Sequence, residues 1–129
     1  ERLRDLEPGD RDATSVLGRS ALGAGRYDSA AEAFRAVIAA EPHACHARIN
    51  LSRTLLALDR TAEAEEELGA ASRCSPAMPE VQEGLGSVYF RQQRFQKSLD
   101  AFRRAEAIRP SRLSKAGIEA IRVRVEPTR

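Results

Sequence analysis

A proline recurs every 34 residues along this chain, at Pro42, Pro76 and Pro110. A fixed period of this length predicts a stacked repeat protein, in which one supersecondary unit recurs. Other columns keep the same period with identical or similar residues. They are Leu17, Leu51 and Leu85; Gly18, Ser52 and Gly86; Arg26, Arg60 and Arg94; Ala30, Ala64 and Ser98; and Phe34, Leu68 and Phe102.

Each unit is predicted to contain two helices, because apolar residues recur at helical spacing on either side of a short break. Proline ends the second helix, since its ring clashes with the preceding turn and it has no amide donor. The predicted helices span 13–24, 29–41, 45–58, 62–74, 79–92, 96–109 and 112–124. Sustained alternation is absent and β-branched residues are few, so the expected fold class is all-α.

The small-residue columns predict where the two helices of a unit touch. We expect close contacts at Gly18 with Ala30, and the same contacts in the later units. The leucine column at Leu17 and the large apolar column at Phe34 should then fill the seam between the helices. One helix pair cannot bury its apolar face alone, so stability is expected to come from stacking of neighbouring pairs.

These motifs resemble the tetratricopeptide repeat, a 34-residue unit with a W-x2-L-G-x2-Y…A-x3-F…P pattern. The matches are Leu17-Gly18, Ala30, Phe34 and Pro42; Leu51, Ala64 and Pro76; and Leu85-Gly86-x2-Tyr89, Phe102 and Pro110. The leading aromatic is missing, since Thr14, Arg48 and Gln82 occupy its column. The resemblance implies a right-handed superhelical solenoid of antiparallel helix pairs.

The repeat register predicts the organisation of the chain. Three full repeats should cover 11–44, 45–78 and 79–112, and 113–129 should form a capping helix and a frayed tail. Pro8 lies 34 residues before Pro42. Residues 1–10 are therefore expected to be the end of an upstream repeat, with an N-terminal cap as the alternative. Because the chain starts with Glu1 inside an expected helix, we interpret it as part of a longer protein.

Charge is unevenly distributed along the chain. The net charge is +2, but residues 1–90 sum to −5 and residues 91–129 to +7. A basic patch could steer an acidic partner, and the alternative is a solvated face with ion pairs between units. The basic segment offers only Phe95 and Phe102 for stacking on bases, so no nucleic acid is expected. The chain contains no run of about 20 apolar residues, so no membrane span is expected.

The chain has few residues that could support catalysis. His43, Cys45 and His46 form the only local cluster, whereas structural zinc usually takes four ligands at recognisable spacing. We therefore expect no metal, no cofactor and no enzymatic activity. Cys45 and Cys74 should lie at the same end of the second unit. A disulfide between them would require suitable geometry, and two free thiols are the favoured prediction.

The family resemblance implies that the first helix of each repeat lines a concave groove for a peptide or a partner helix. The candidate groove residues are Ser15, Arg19 and Leu22; His46, Ile49, Asn50, Arg53 and Leu56; and Glu83, Ser87, Phe90 and Arg91. Arginine can clamp a carboxylate with two parallel hydrogen bonds. A peptide with acidic and apolar groups is thus the expected partner. The alternative is that the apolar members pack on neighbouring units and the arginines are merely solvated.

Chaperone-binding members of this family use a carboxylate clamp of Lys, Asn and Arg side chains on three first helices. Only Asn50 matches those positions. Ser15 and Glu80 stand where lysines are expected, Arg19 where an Asn is, and Gly84 where the Arg is. This departure argues against a heat-shock co-chaperone with that clamp.

The sequence therefore predicts a non-enzymatic adaptor or scaffold module, located in the cytoplasm. Two alternatives stay open. The first is a regulatory or substrate-docking segment of an enzyme whose catalytic domain lies outside this chain. The second is a scaffold that assembles with copies of itself through an open repeat end or through the oppositely charged regions.

Overall fold

The structure, a computed structural model, describes residues 7–75 and 77–125. The predictions for residues 1–6, for Pro76 and for the tail at 126–129 lie outside these residues. The described part contains helices and no strand, which confirms the all-α class. The helices are α1 (Pro8–Gly23), α2 (Tyr27–Ala40), α3 (Cys45–Ala57), α4 (Thr61–Cys74), α5 (Pro79–Arg91), α6 (Phe95–Ile108) and α7 (Arg112–Val125).

The largest difference from the predicted helix bounds lies at the start of α1. This helix begins at Pro8 rather than at Ala13. Pro8 occupies the first helical turn, where the missing amide donor would have had no intrahelical partner anyway. The proline therefore begins a helix here, instead of only ending one as the repeat pattern predicted.

The turn inside each helix pair uses one residue in the left-handed region, and these three residues share a column. Gly25, Asp59 and Gln93 have φ angles of 78°, 63° and 61°. In the first turn the amide of Gly25 donates to the Leu22 carbonyl, and that of Arg26 to the Ala21 carbonyl at 2.8 Å. The other two turns repeat both bonds. This is the Schellman pattern, which satisfies the last carbonyls of a helix.

Substitutions at Gly25 and Gln93, the first and last of these left-handed residues, should change the free energy of unfolding in opposite directions. A Cβ on Gly25 would touch nothing, so Gly25→Ala carries only the backbone penalty of the left-handed conformation. It should lower the free energy of unfolding by about 1 kcal/mol. Gln93→Gly removes the same penalty and should raise that free energy by up to about 1 kcal/mol. Urea denaturation of both variants checks this, and equal signs would contradict it.

The chain divides into two compact units, Glu1–Cys74 and Ser75–Arg129. In the first unit α1 packs on α2, α3 packs on α4, and α3 also packs on α2. Its largest fully buried side chains include Phe34, Leu51, Leu55 and Leu68. The predicted apolar columns are thus confirmed as core at these positions.

Leu17 is an exception to its column, and the prediction that it fills the seam is wrong. Leu17 is 66% exposed, whereas Leu51 is only 1% exposed. The difference follows from neighbours, because α3 lies against α2 of the preceding pair. Among the described residues, no preceding pair covers the corresponding side of α1.

The two cysteines form a disulfide, so the favoured prediction of free thiols is wrong. Cys45 begins α3 and Cys74 ends α4, and the sulfur atoms are bonded to each other. The Cα atoms are 6.4 Å apart, inside the usual range for a disulfide. Because α3 and α4 are antiparallel, the start of α3 lies beside the end of α4, and this places the two cysteines within bonding distance.

Two of the four glutamates of α4 form ion pairs with arginines of the first unit. Arg35 of α2 contacts Glu63 at 3.5 Å, and Arg48 of α3 contacts Glu67 at 2.8 Å. Arg48 also donates from Nε and Nη2 to the Pro42 carbonyl. The column in which the family pattern has its leading aromatic therefore holds an arginine that ties α3 to a loop and to α4.

In the second unit the core centres on Phe102 of α6, which is 3% exposed. A Cβ on Gly86 of α5 would lie 2.7 Å from its ring, and a Cβ on Gly117 of α7 would lie 2.5 Å from it. The ring thus occupies space that any larger residue at either glycine would fill. Ser98 donates to the Gly86 carbonyl at 2.7 Å, which confirms the predicted close approach of these two columns.

Helix α7 forms as predicted and packs on α5 and α6 through the buried Ile121. Ser111 precedes its first residue, and its Oγ accepts from the Ser114 amide at 3.0 Å, as an N-cap does. The outward side of α7 is not uniformly polar. Leu113 and Val123 are 50% and 69% exposed on α7. None of the helices in 7–75 and 77–125 has the length and apolar composition for crossing a membrane.

Candidate partner-binding surface

The predicted groove residues of the first two repeats lie on α1 and α3, which contact each other inside the first unit. Ser15, Arg19 and Leu22 follow one side of α1 at spacings of four and three. The candidates on α3 include His46, Asn50 and Arg53, which are also spaced by four and three residues. Since residues at this spacing share a helix face, each helix presents its candidates as one row.

A surface depression of about 310 Å³ joins the two rows. Ser15 of α1 and His46 of α3 both line it, so the structure brings these two predicted residues together. Its other lining residues are Arg11, Asp12, Val37, Glu41, Ala44, Cys45 and Ala47. Arg11 Nε lies 3.9 Å from Glu41 Oε1 at its edge. The site thus combines a hydroxyl, an imidazole and charges of both signs.

Accessibility separates the candidates into two groups. Arg19, His46 and Arg53 are exposed, whereas Ile49 and Leu56 are buried. The buried pair contributes to packing within the fold, as the alternative interpretation of the apolar groove residues allowed. Arg53 Nη1 donates to Asn50 Oδ1 at 3.1 Å. This bond holds the guanidinium beside an amide whose own NH2 group can donate to a ligand.

The candidates on α5 are described within the second unit. Glu83 is buried, and its Oε2 accepts from Ser111 Oγ at 2.6 Å. Phe90 meets the Phe95 ring edge-on, with centroids 5.5 Å apart, and the Arg124 guanidinium lies 5.3 Å above the Phe90 ring. Phe90 therefore packs on α6 and α7. Ser87 is half-buried and Arg91 is exposed.

Sequence reasoning missed Arg11 and Glu41 as members of the depression. Arg11 lies one turn before Ser15, and Glu41 follows the last residue of α2. Neither residue belongs to a repeated column, because the corresponding positions in the next repeat hold Cys45 and Ser75. Arg11 and Glu41 come together because the start of α1, the end of α2 and the start of α3 all line the depression.

The described residues hold no group of three or more His, Cys, Asp or Glu side chains that could bind a metal ion. His43 and His46 lie near Cys45 in sequence, but the disulfide engages that sulfur. Of this local cluster, only the imidazoles of His43 and His46 could still act as metal ligands.

A sequence model of the tetratricopeptide repeat matches residues 21–86, slightly more than half of the chain. The chain belongs to the tetratricopeptide repeat family. No curated protein sequence matches it.

Several solved structures resemble nearly all of the chain. One is the first tetratricopeptide domain of Spaghetti (RPAP3) bound to the HSP90 peptide SRMEEVD, with a TM-score of 0.87, 16% identity, and 94% of this chain and 97% of that chain covered. The Sgt2 domain from Aspergillus fumigatus has a TM-score of 0.87 at 18% identity, covering 98% of this chain and 85% of that one. The Yersinia enterocolitica type III secretion chaperone SycD, in complex with a peptide of the translocator YopD, has a TM-score of 0.82 at 11% identity and covers 93% and 98%. At these identities the likeness establishes the fold.

Proposed function

We propose that this chain is a non-enzymatic interaction module that binds a peptide of a partner protein along α1 and α3. The observation that carries the proposal is the depression of about 310 Å³ that Ser15 and His46 line together. Further along the same two helices, Arg19 and Arg53 are exposed. An adaptor role within a longer cytoplasmic protein is part of this proposal.

The charges of the surface specify the ligand further. Asp12 and Glu41 line the depression and would repel a peptide carboxylate there. Arg19 lies about one turn beyond Ser15 on α1, and Arg53 lies about two turns beyond His46 on α3. Either guanidinium can clamp a peptide carboxylate with paired hydrogen bonds. Leu22, half-buried beyond Arg19, offers an apolar contact. The preferred ligand is therefore an extended peptide with acidic and apolar side chains.

The similar structures support a peptide ligand but not a particular one. The RPAP3 domain holds an HSP90 peptide, and SycD holds a peptide of YopD. Of the clamp positions that chaperone-binding domains use, this chain keeps only Asn50. In place of one clamp lysine stands Glu80, whose carboxylate accepts a bond from Arg109 at 2.8 Å. We therefore propose a ligand outside the chaperone-tail class.

Peptide selection tests this function while the partner is still unidentified. A random 12-residue peptide library is displayed on phage and selected on the immobilised chain. The selected peptides should be enriched in Asp or Glu next to Leu or Phe. Arg19→Ala combined with Arg53→Ala should weaken their binding by about tenfold or more, because one lost charged hydrogen bond is worth about 1.5–3 kcal/mol. Isothermal titration calorimetry measures the change.

A charge-matched control is Arg26→Ala combined with Arg60→Ala, which removes two exposed arginines from the helix turns. This variant should bind the selected peptides as tightly as the unmodified chain. Both variants should keep the melting temperature within a few degrees, since exposed substitutions change stability by only about 0.5 kcal/mol. Equal loss of binding in the two variants would show a general charge effect and would rule out the proposed site.

A further inference from the structure

The outward side of α7 carries an apolar stripe that is separate from the surface on α1 and α3. Leu113, Ala116, Ala120 and Val123 follow one another at spacings of three and four, and all four are exposed. Such spacing places them on one face of a helix. The neighbouring side of α7 carries the buried Ile121 and also Gly117, which lies against the Phe102 ring. Helix α7 is therefore apolar on two sides, of which one is covered.

The repeat register shows what kind of element fits this stripe. Its members lie 34 residues after Pro79, Gln82, Gly86 and Tyr89 of α5. That side of α5 is covered by α6. Gln82 accepts from Arg104 at 3.0 Å, Gly86 lies against Phe102, and Lys97 Nζ lies 5.6 Å from the centroid of the Tyr89 ring. The stripe on α7 thus corresponds to a surface that a second helix covers in the preceding pair.

The residue at the closest point of contact limits the size of the partner side chain. The glycines of this column, Gly18 and Gly86, each face a phenylalanine ring. The column holds Ser52 in the second pair, where the large apolar column holds Leu68 instead of Phe. Ala120 is similar to Ser52 in volume. A helix that docks on α7 should therefore present an aliphatic side chain such as leucine at this point.

The positive charge of α7 favours a docking helix that carries negative charge. Helix α7 carries Arg112, Lys115, Arg122 and Arg124 against one acid, Glu119. The described part of the second unit has ten basic and five acidic side chains. An acidic helix would be attracted to this surface, and a basic one, or α7 of a second copy, would be repelled.

We propose that the Leu113–Val123 stripe of α7 is a docking site for an acidic amphipathic helix of a partner protein, with an aliphatic residue over Ala120. This site goes beyond the peptide-binding surface proposed above and does not depend on it. It follows the helix-in-groove mode, in which residues at helical spacing anchor the partner. The occupied arrangement would complete a fourth helix pair in which the second helix comes from another chain.

The chain itself supplies a probe of the right chemistry. Helix α4 is an acidic second helix with the sequence TAEAEEELGAASRC, and Leu68 and Ala64 lie on its buried face. A fluorescein-labelled peptide of residues 61–74, with Cys74→Ser and a helix-stabilising staple on its polar face, is titrated with the intact chain. Fluorescence anisotropy should report saturable binding that weakens as salt concentration rises.

Two comparisons decide the proposal. Val123→Asp should weaken binding of the probe by about tenfold or more, since it places a like charge in the apolar contact. Leu17→Asp is the matched control, because Leu17 is as exposed as Val123 but lies on α1. It should leave the affinity unchanged. A second peptide with lysines in place of the four glutamates should bind about tenfold more weakly or worse.

The opposite outcomes overturn the proposal in distinct ways. Loss of binding in Leu17→Asp but not in Val123→Asp would place the probe on α1. Equal binding of the acidic and the lysine peptides would remove the charge argument. An absence of probe binding, combined with self-association that Val123→Asp abolishes in light scattering, would show that a second copy covers the stripe. Circular dichroism of both variants confirms that the helices are retained.

Discussion

Replacing Phe102 with alanine is expected to lower the free energy of unfolding by about 3–5 kcal/mol. The ring is 3% exposed and lies against α5 at Gly86 and against α7 at Gly117. Its loss leaves a cavity that neither glycine can fill, and Leu99 and Ile121 lose their shared contact in the cluster. Guanidinium denaturation followed by circular dichroism measures the effect.

Two controls test whether the effect comes from the packing of the Phe102 ring against its neighbours. Ile108→Ala removes an exposed apolar side chain from the same helix, and it should change stability by about 0.5 kcal/mol or less. Gly86→Ala should be destabilising because its Cβ would lie 2.7 Å from the ring. The same change should be milder in a Phe102→Leu background. A double-mutant cycle without such coupling would contradict the proposed contact.

The order and extent of the helices were predictable from the sequence. The 34-residue period repeats the proline that follows each second helix, and it repeats an arginine at the turn inside each pair, as Arg26, Arg60 and Arg94. These signals act within a few residues of one another, so a sequence pattern can capture them. The local errors were small: α1 begins at Pro8 because the first helical turn tolerates proline.

The failures concern contacts between helices that are distant in sequence. The period gave Leu17 and Leu51 the same role, but burial depends on which helix lies alongside. The cysteine pair required the ends of α3 and α4 to lie within 6.4 Å at the Cα atoms, which no spacing rule specifies. The same reasoning applies to the predicted groove residue Phe90, which packs on Phe95 and beneath Arg124. Side-chain partners of this kind depend on helix packing angles.

Leu51→Ala and Leu17→Ala form a matched pair, because the two leucines occupy the same column of successive repeats. We expect Leu51→Ala to lower the free energy of unfolding by about 2–5 kcal/mol, as buried leucines do. Leu17→Ala should change it by only about 0.5 kcal/mol, since its side chain is 66% exposed. Thermal unfolding at two protein concentrations, a hundredfold apart, provides the measurement.

The concentration series distinguishes the two ways in which this expectation could fail. An equal loss in both variants at the higher concentration alone would mean that a second copy covers α1, because association stabilises a folded chain by mass action. An equal loss at both concentrations would mean that Leu17 is buried within one chain, contrary to the fold described for α1. A large effect confined to Leu51 would show that a column of the repeat becomes core only where a preceding helix pair packs against it, as α2 does against α3. The energetic value of a repeat residue would then be set by its neighbour and not by its position in the motif.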